Sequence, residues 1–389
     1  MKVEAEAVIP SISREVFERN AVQGNFTTIA PVSGSQAGEN QLTLTMPLHG
    51  IDSSTPTGNP SAHPESLILS ALLGGSSSAN YLAGKINQSG SDADTISADS
   101  GGAFEAGAGL IVGTTAAKHE MGFIENASNQ ESLELRTPLS DATIETDNST
   151  AYGTVNSFLT TGDTSAFSIL VRSLDNDSQV LCSSCVPVSC SITMDAKGMP
   201  MFEATFWVNA VSQGGENSSL DEYSYTYPVM SPMTGNNSAR LCFGTASATD
   251  WDCSGFSVSI EQEIIPQLGH GADTGVRGVT VTNRTVTCEF SGLAGSVNPW
   301  DTAGNLSTIY DLNNTTDGSA AVQLTHGSVP GQCFGIHLPR PVLTSPPTLS
   351  DADGLWNLAY TASPGNYSGD TPSASAESSA NRPFVVAFG

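Results

Sequence analysis

Cations are what this sequence has least of. Its 389 residues include 13 Lys and Arg against 39 Asp and Glu, a formal net charge of −26 at pH 7. Only 13% of residues are charged, so the imbalance comes from missing cations more than from abundant anions. Proteins that grip phosphate gather Lys and Arg into a patch or stripe. Nucleic-acid binding of the usual kind is therefore excluded, and anionic membrane surfaces are disfavoured for the same reason. Long apolar runs are missing too: no segment reaches the roughly 18 residues that a membrane-spanning helix needs. The start, MKVEAEAVIPSISREVFERN, carries acidic residues where a secretory signal has its apolar core. Cytosolic synthesis is the expectation, with thiols instead of a disulfide framework for the seven cysteines.

Signatures of chemistry are equally scarce. Cys182, Cys185 and Cys190 are dense enough for three corners of a zinc site, but no His lies nearby to complete the tetrahedron. Gly107-x-Gly109-x3-Gly113 misses the dinucleotide spacing and runs into GTTAAKHE, not into a helix that would meet pyrophosphate. Asp351-Ala-Asp353-Gly354 opens like a calcium loop, yet its twelfth position is Ala362, which offers no side-chain oxygen. The six histidines (His49, His63, His119, His270, His326 and His337) form no H-E-x-x-H. In the compact trio Lys118-His119-Glu120, a strand would turn the imidazole away from both neighbours. No G-x-S-x-G and no Walker-type phosphate loop is present. No enzyme activity, metal or cofactor is expected.

What the chain does have is material for strands. At 38% hydrophobic it can bury a substantial core, and 38 Gly and 21 Pro punctuate a sequence rich in Ser, Thr and Asn. In QLTLTMPLHG, Leu42, Leu44, Met46 and Leu48 alternate with polar residues, the period of a half-buried strand. The clearest helix is HPESLILSALLGG over 64–73. Pro64 stands at its first position, Glu65 near the positive end of the dipole, Leu67, Ile68, Ala71 and Leu72 on one face, and Gly74 and Gly75 at its end. Residues 85–102 read as an exposed loop, with strands resuming at 109–113, 121–125 and 132–136. AFSILVRSL and MFEATFWVNA alternate again, as do Phe256, Val258 and Ile260, and Val286, Cys288 and Phe290. Between the last two lies a polar, Gly-rich stretch taken as a long loop over 261–278. NLSTIYDLNN is a candidate short helix, followed by strands near 320–324, 333–338 and 355–360. A Ser-rich C-terminal tract expected to be flexible ends in an apolar segment able to pair as a final strand. The order strand, loop, strand, loop, short helix, three strands can be written for both halves, which puts the division at 1–150 and 151–389.

Four stretches together resemble the major tail proteins, or tail tube proteins, of long-tailed bacteriophages. They are LTLTMPLHG with the helix HPESLILSALLGG; ITMDAKGMPMFEATFWVNA, similar to the family's strand–turn–strand hairpin; GFSVSIEQEIIPQLGHGADTGVRGVTVTNRTVTCEFSG; and CFGIHLPRPVLTSPPTLSDADGLWNLAYTAS. They cover about half the chain, and Cys288 stands where the family pattern ends on Gly.

The resemblance implies a mainly β fold: a tail-tube-like β-sandwich or barrel with a short flanking α-helix, long enough here for two tube-like units. One unit would hold residues 1–150 with helix 64–73. The other would hold 151–389 with strands 255–290 and the C-terminal strands. It implies a structural virion protein that assembles with itself, as a hexameric ring or a trimeric ring of pseudo-sixfold symmetry, stacked into the conduit for DNA ejection. Its implied partners are the other tail proteins (tape measure, tail terminator, distal tail), with DNA only as passing cargo and no membrane. Arg277, Arg284 and Asp273 are the candidate inter-ring loop residues. Leu42, Leu44, Met46, Phe256, Val258, Ile260, Val286 and Phe290 are the candidate framework. The rival is a carbohydrate-binding or adhesive β-sandwich of a tail fibre or cell surface. It needs exposed aromatics on one face, and Trp207, Trp251, Trp300 and Trp356 are dispersed.

Overall fold

A computed structural model of the chain describes residues 7–11, 16–17, 32–33, 40–51, 63–78, 84–85, 95–97, 107–114, 119–129, 132–135, 139, 149–160, 162–172, 179–195, 198–213, 229–232, 240–243, 249–269, 276–294, 321–329, 331–345, 348–352, 355–365 and 382–389. The candidate helix in NLSTIYDLNN and the Ser-rich tract 366–381 lie outside the described residues.

The fold is mainly β, as the alternation requires. Its first part comprises β1 (Ala7–Ser11), β2 (Val16–Phe17), β3 (Val32–Ser33), β4 (Gln41–Pro47), helix α1 (Pro64–Leu73) and β5 (Gly74–Ser78). Then come β6 (Gly84–Lys85), β7 (Thr95–Ser97), β8 (Gly109–Thr114), β9 (His119–Asn129), β10 (Ser132–Leu135), β11 (Ser149–Gly153) and β12 (Val155–Leu159). The middle holds β13 (Phe167–Arg172), β14 (Gln179–Asp195), β15 (Met201–Gln213), β16 (Arg240–Phe243), β17 (Thr249–Leu268) and β18 (Val276–Ala294). The chain finishes with β19 (Val322–His326), β20 (Phe334–Leu338), β21 (Pro341–Leu343), β22 (Thr348–Ala352), β23 (Leu355–Pro364) and β24 (Val385–Phe388).

Two sheets carry the architecture. The larger one runs β1-β4-β15-β14-β17-β16-β19-β20-β24-β12-β5, with β18 and β23 branching from β17. The smaller one runs β6-β11-β8-β9-β10-β7. Because β5 pairs directly with β12, the smaller sheet is an insertion between these two neighbours. This differs from a division at residue 150. Residues 41–47 pair with 201–207 in the larger sheet, while 84–153 build the smaller one. Sequence order hid this, because the pairing of β4 with β15 spans more than 150 residues and leaves no local signal.

The sheets meet along β20, β24 and β12. Ile111, Met121 and Phe123 pack there on Phe158, Cys333, Val385 and Ala387. Two glycines allow the close approach: a Cβ on Gly109 would lie 2.7 Å from Ala387 Cβ, and one on Gly335 would lie 2.5 Å from Met121 Sδ.

The main core gathers Met46, Phe202, Ile192, Val258, Cys288 and Ala362, neighbours in one cross-strand row, with Phe256, Phe334 and Phe388. Of the candidate framework residues, Leu42, Met46, Phe256, Val258, Ile260, Val286 and Phe290 are buried in it, and half-buried Leu44 packs against it. Helix α1 spans the residues read from the sequence and ends as expected, with Gly74 at φ +86° donating its N–H to the Ser70 carbonyl. The one-sided apolar face is corrected, however. Every helix residue but Leu67 and Ser70 is buried, Leu69 completely, so α1 is packed nearly all round. The expected loop 261–278 is also corrected. β17 continues to Leu268 and β18 starts at Val276, so most of that stretch is a two-stranded arm.

Enlarging Gly335 tests the junction between the sheets. Gly335→Val is expected to lower unfolding stability by about 1–3 kcal/mol through overpacking, and adding Met121→Ala is expected to recover part of the loss. Additive losses in a denaturant-unfolding double-mutant cycle would contradict the contact.

Candidate assembly surface

Along β4, β15, β14, β17 and β18, alternation gives the larger sheet one dry face and one wet face. Opposite the buried row lie rows of small polar and acidic residues. In register across β4, β15, β14, β17 and β18 stand Thr45, Glu203, Ser191, Ser259 and Thr287, and beside them Thr43, Thr205, Ser189, Glu261 and Thr285. All are half-buried or exposed. Side chains bridge the strands: Thr45 Oγ1 donates to Glu203 Oε2 at 3.3 Å, and the hydroxyls of Thr43 and Thr205 are 3.2 Å apart. Glu289 continues the face on β18 and Glu263 continues it on β17. No Lys or Arg occupies these rows. Glu203 and Glu261 lie two strand spacings and two residues apart, about 12 Å, close to the screening length at 0.1 M salt. The face is a thin, even negative field on a hydroxyl lawn.

Beyond Glu261 the ladder leaves its neighbours. β14 pairs with β17 only as far as Glu261, and β23 meets β18 only from Cys288 onward. Among the described residues, the outer edges of 262–268 and 276–287 have no strand partner. A small cluster of Val186, Trp207 and Val276, with Ile264 and Val279, ties the arm down. Its outer part still exposes apolar surface, Ile265 at 53% and Leu268 at 76%. An open edge carrying apolar side chains is a template on which another strand can pair.

The three candidate loop residues fall in different places. Arg277 is exposed at the start of β18, its stem against Gly269. Asp273 lies outside the described residues. Arg284 sits in the middle of β18, and its donors turn inward: Nε to Gln262 Oε1 at 3.1 Å and Nη1 to the Thr160 carbonyl at 2.9 Å. Burial lowers its guanidinium from the ordinary range, with Asp163 pulling the other way. Arg284 is a clasp between the arm's root and the C-terminal end of α1, where a cation also complements the helix dipole.

A polar node that sequence reasoning missed lies under the helix. His63 caps α1: Ser66 N–H donates to its Nδ1 at 3.2 Å, which leaves Nε2–H to donate to the His49 carbonyl at 3.1 Å. Glu65 is fully buried, with Oε1 accepting the His49 backbone N–H at 3.0 Å and lying 2.7 Å from His49 Nδ1. Phe388 lies tilted over the His63 ring at 4.5 Å. The usable signal was His63 at the N-cap position before Pro64, but histidine is not among the preferred caps. Every member of the node is buried.

The six cysteines whose side chains are described behave as small apolar residues. Cys182, Cys185, Cys190, Cys253, Cys288 and Cys333 are buried free thiols. Burial pushes Cys185 and Cys333 up to about 12 and Cys253 up to about 11. No group of three metal-ligating side chains occurs among the described residues. Nor, among them, is any helix long and apolar enough to cross a membrane. No family model matches the chain, and no curated protein matches it.

His63 makes a pH prediction. Desolvation lowers its pKa from 6.5 despite the neighbouring Glu65 carboxyl. The unfolded chain therefore takes up a proton that the folded chain refuses, and stability falls as pH drops below 6.5. This group contributes up to about 1.4 kcal/mol per pH unit to that fall. His63→Asn retains a capping oxygen and is expected to remove up to about 1.4 kcal/mol of the total stability change in urea unfolding between pH 7.5 and 5.5. An unchanged slope would contradict the assignment.

Proposed function

We propose that the chain is a structural virion protein of the tail tube class, whose copies join into rings stacked as a conduit for DNA. The observation that carries the reading is the one-sided sheet. Its dry face completes a monomer core, and its wet face is a surface of Ser, Thr and Glu without a cation in its rows. A wall of that kind suits DNA as moving cargo, since it repels phosphate weakly and offers no group to hold it. Repulsion acts over about 10 Å at 0.1 M salt, within the clearance of a lumen little wider than a duplex.

The arm supplies the second half of the reading. A ring pairs every open edge with a neighbour and so removes the hazard that open strands carry. A heterologous contact repeated around an axis closes without end effects. In this account the β17–β18 arm reaches the adjacent copy through Ile265, Leu268 and its free backbone edges, and Arg277 meets an acidic neighbour there. The other implied partners, the tape measure, tail terminator and distal tail proteins, belong at the tube's interior and ends. The adhesive alternative requires a flat aromatic platform, whereas Trp207 is buried at 6% exposure.

Electron microscopy of concentrated protein is expected to show rings or hollow tubes. Ile265→Asp with Leu268→Asp is expected to abolish them while thermal unfolding of the monomer shifts by less than about 0.5 kcal/mol equivalent, as for exposed positions. A wild-type protein that stays monomeric at high concentration would sink the reading. Assembly unaffected by the double substitution would remove the arm from it.

A further inference from the structure

The C-terminal strand occupies an unusual place. β24 is made of nearly the last residues of the chain, yet it lies in the interior of the larger sheet, hydrogen-bonded to β20 on one side and β12 on the other. Phe384, Val385, Val386, Ala387 and Phe388 are completely buried. Cys333 N–H donates to the Gly389 carbonyl at 2.7 Å and Gly389 N–H to the Cys333 carbonyl at 2.9 Å, so pairing runs to the final residue. The strand touches all three bodies: Val385 and Ala387 reach the smaller sheet, Val386 and Phe388 the main core, and Phe388 the His63 cap. Without it, β20 and β12 present two facing edges and an apolar slot one strand wide.

The connection to this strand is long and carries a single aromatic residue, Tyr367. β23 ends at Pro364, and Gly365 N–H donates to the Arg340 carbonyl. Residues 366–381 contain no Leu, Ile, Val, Met, Phe or Trp. A tether of this length spans up to roughly 55 Å when extended, which exceeds the diameter of a small domain. Residues 384–388 fill the slot, and every copy of the chain carries them. Exchanging an identical element between copies keeps each contact and needs only a connection long enough to cross.

We propose that β24 is an exchangeable donor strand: in the self-associated protein it leaves its own chain and completes the sheet of a neighbouring copy. The partner is a second copy of this chain. The occupied slot is the same β20–β12 slot, so the fold of each subunit is unchanged. Each copy is then held to the next by a strand that cannot leave without opening a core.

Register fixes the test. Since Cys333 and Gly389 exchange both hydrogen bonds, Ile336 and Val386 form a non-hydrogen-bonded pair, the close kind that accepts a disulfide. Full-length Ile336→Cys/Val386→Cys protein is prepared with ordinary and with heavy nitrogen. The two are mixed while unfolded, refolded and concentrated together, oxidised, and the linked peptides weighed. Exchange between copies predicts that mixed-isotope links approach half of all links in the self-associated fraction. Links that are only light–light or heavy–heavy, or a protein that never self-associates, overturn the proposal. Should that variant fail to fold, Asn156→Cys/Ala387→Cys reads the same exchange from the other flank, where Leu159 N–H bonding to the Phe384 carbonyl sets the register. Mixed links need no ring or tube, so failure of the exchange and failure of the tube reading are told apart by the micrographs.

Discussion

One constraint organises this protein: in an antiparallel ladder, successive side chains point to opposite faces. Along β4, β15, β14, β17 and β18 that rule is kept without slippage at the core. Met46, Phe202, Ile192, Val258 and Cys288 face one way, and Thr45, Glu203, Ser191, Ser259 and Thr287 face the other. A shift of one residue in β15, β17 or β18 would put a carboxylate in the core and an aromatic ring in water, and in β4 or β14 it would bury hydroxyls and expose apolar side chains. The dry face is therefore what guarantees the wet face. Stability and surface chemistry are two readings of the same register.

The remaining features serve that ladder or extend it. α1, buried nearly all round, closes the core from one side, capped by His63 and clasped at its other end by Arg284. The inserted smaller sheet covers β20, β24 and β12. The ladder then outgrows its core. β17 and β18 run on past Glu261 as an arm whose edges and apolar tip lack a strand neighbour among the described residues. In the proposed reading, this arm is the part of the fold that meets other copies.

Much of the fold was legible in the sequence, and the exceptions have physical reasons. Period-two alternation placed Leu42, Met46, Phe256, Val258, Ile260, Val286 and Phe290 on the apolar face of strands, and they are buried in the core of the single chain. The helix bounds followed from Pro64 and Gly74, both of which act through backbone geometry local to their positions. The arm was not legible. Gly269, Gly271 and Pro266 mark turns in most contexts, and here a ladder already established by 255–261 carries the strand through the proline. Arg284 was read as a loop residue for the same reason. The insertion of 84–153 between β5 and β12, and the interior position of β24, depend on pairings between distant segments that no local pattern announces. The buried node of His49, Glu65 and His63 was hidden by separation in sequence and by histidine's weak standing as a cap.

The central claim is that the wet face of the larger sheet is the inner wall of a self-assembled conduit. A cryo-electron-microscopy map of the assembled protein tests it most directly, because it places each strand relative to the symmetry axis. The account predicts that Glu203, Glu261 and Glu289, with the Ser and Thr residues between them, line the central channel. A map with this face turned outward, or with Lys and Arg side chains lining the channel in its place, would contradict it.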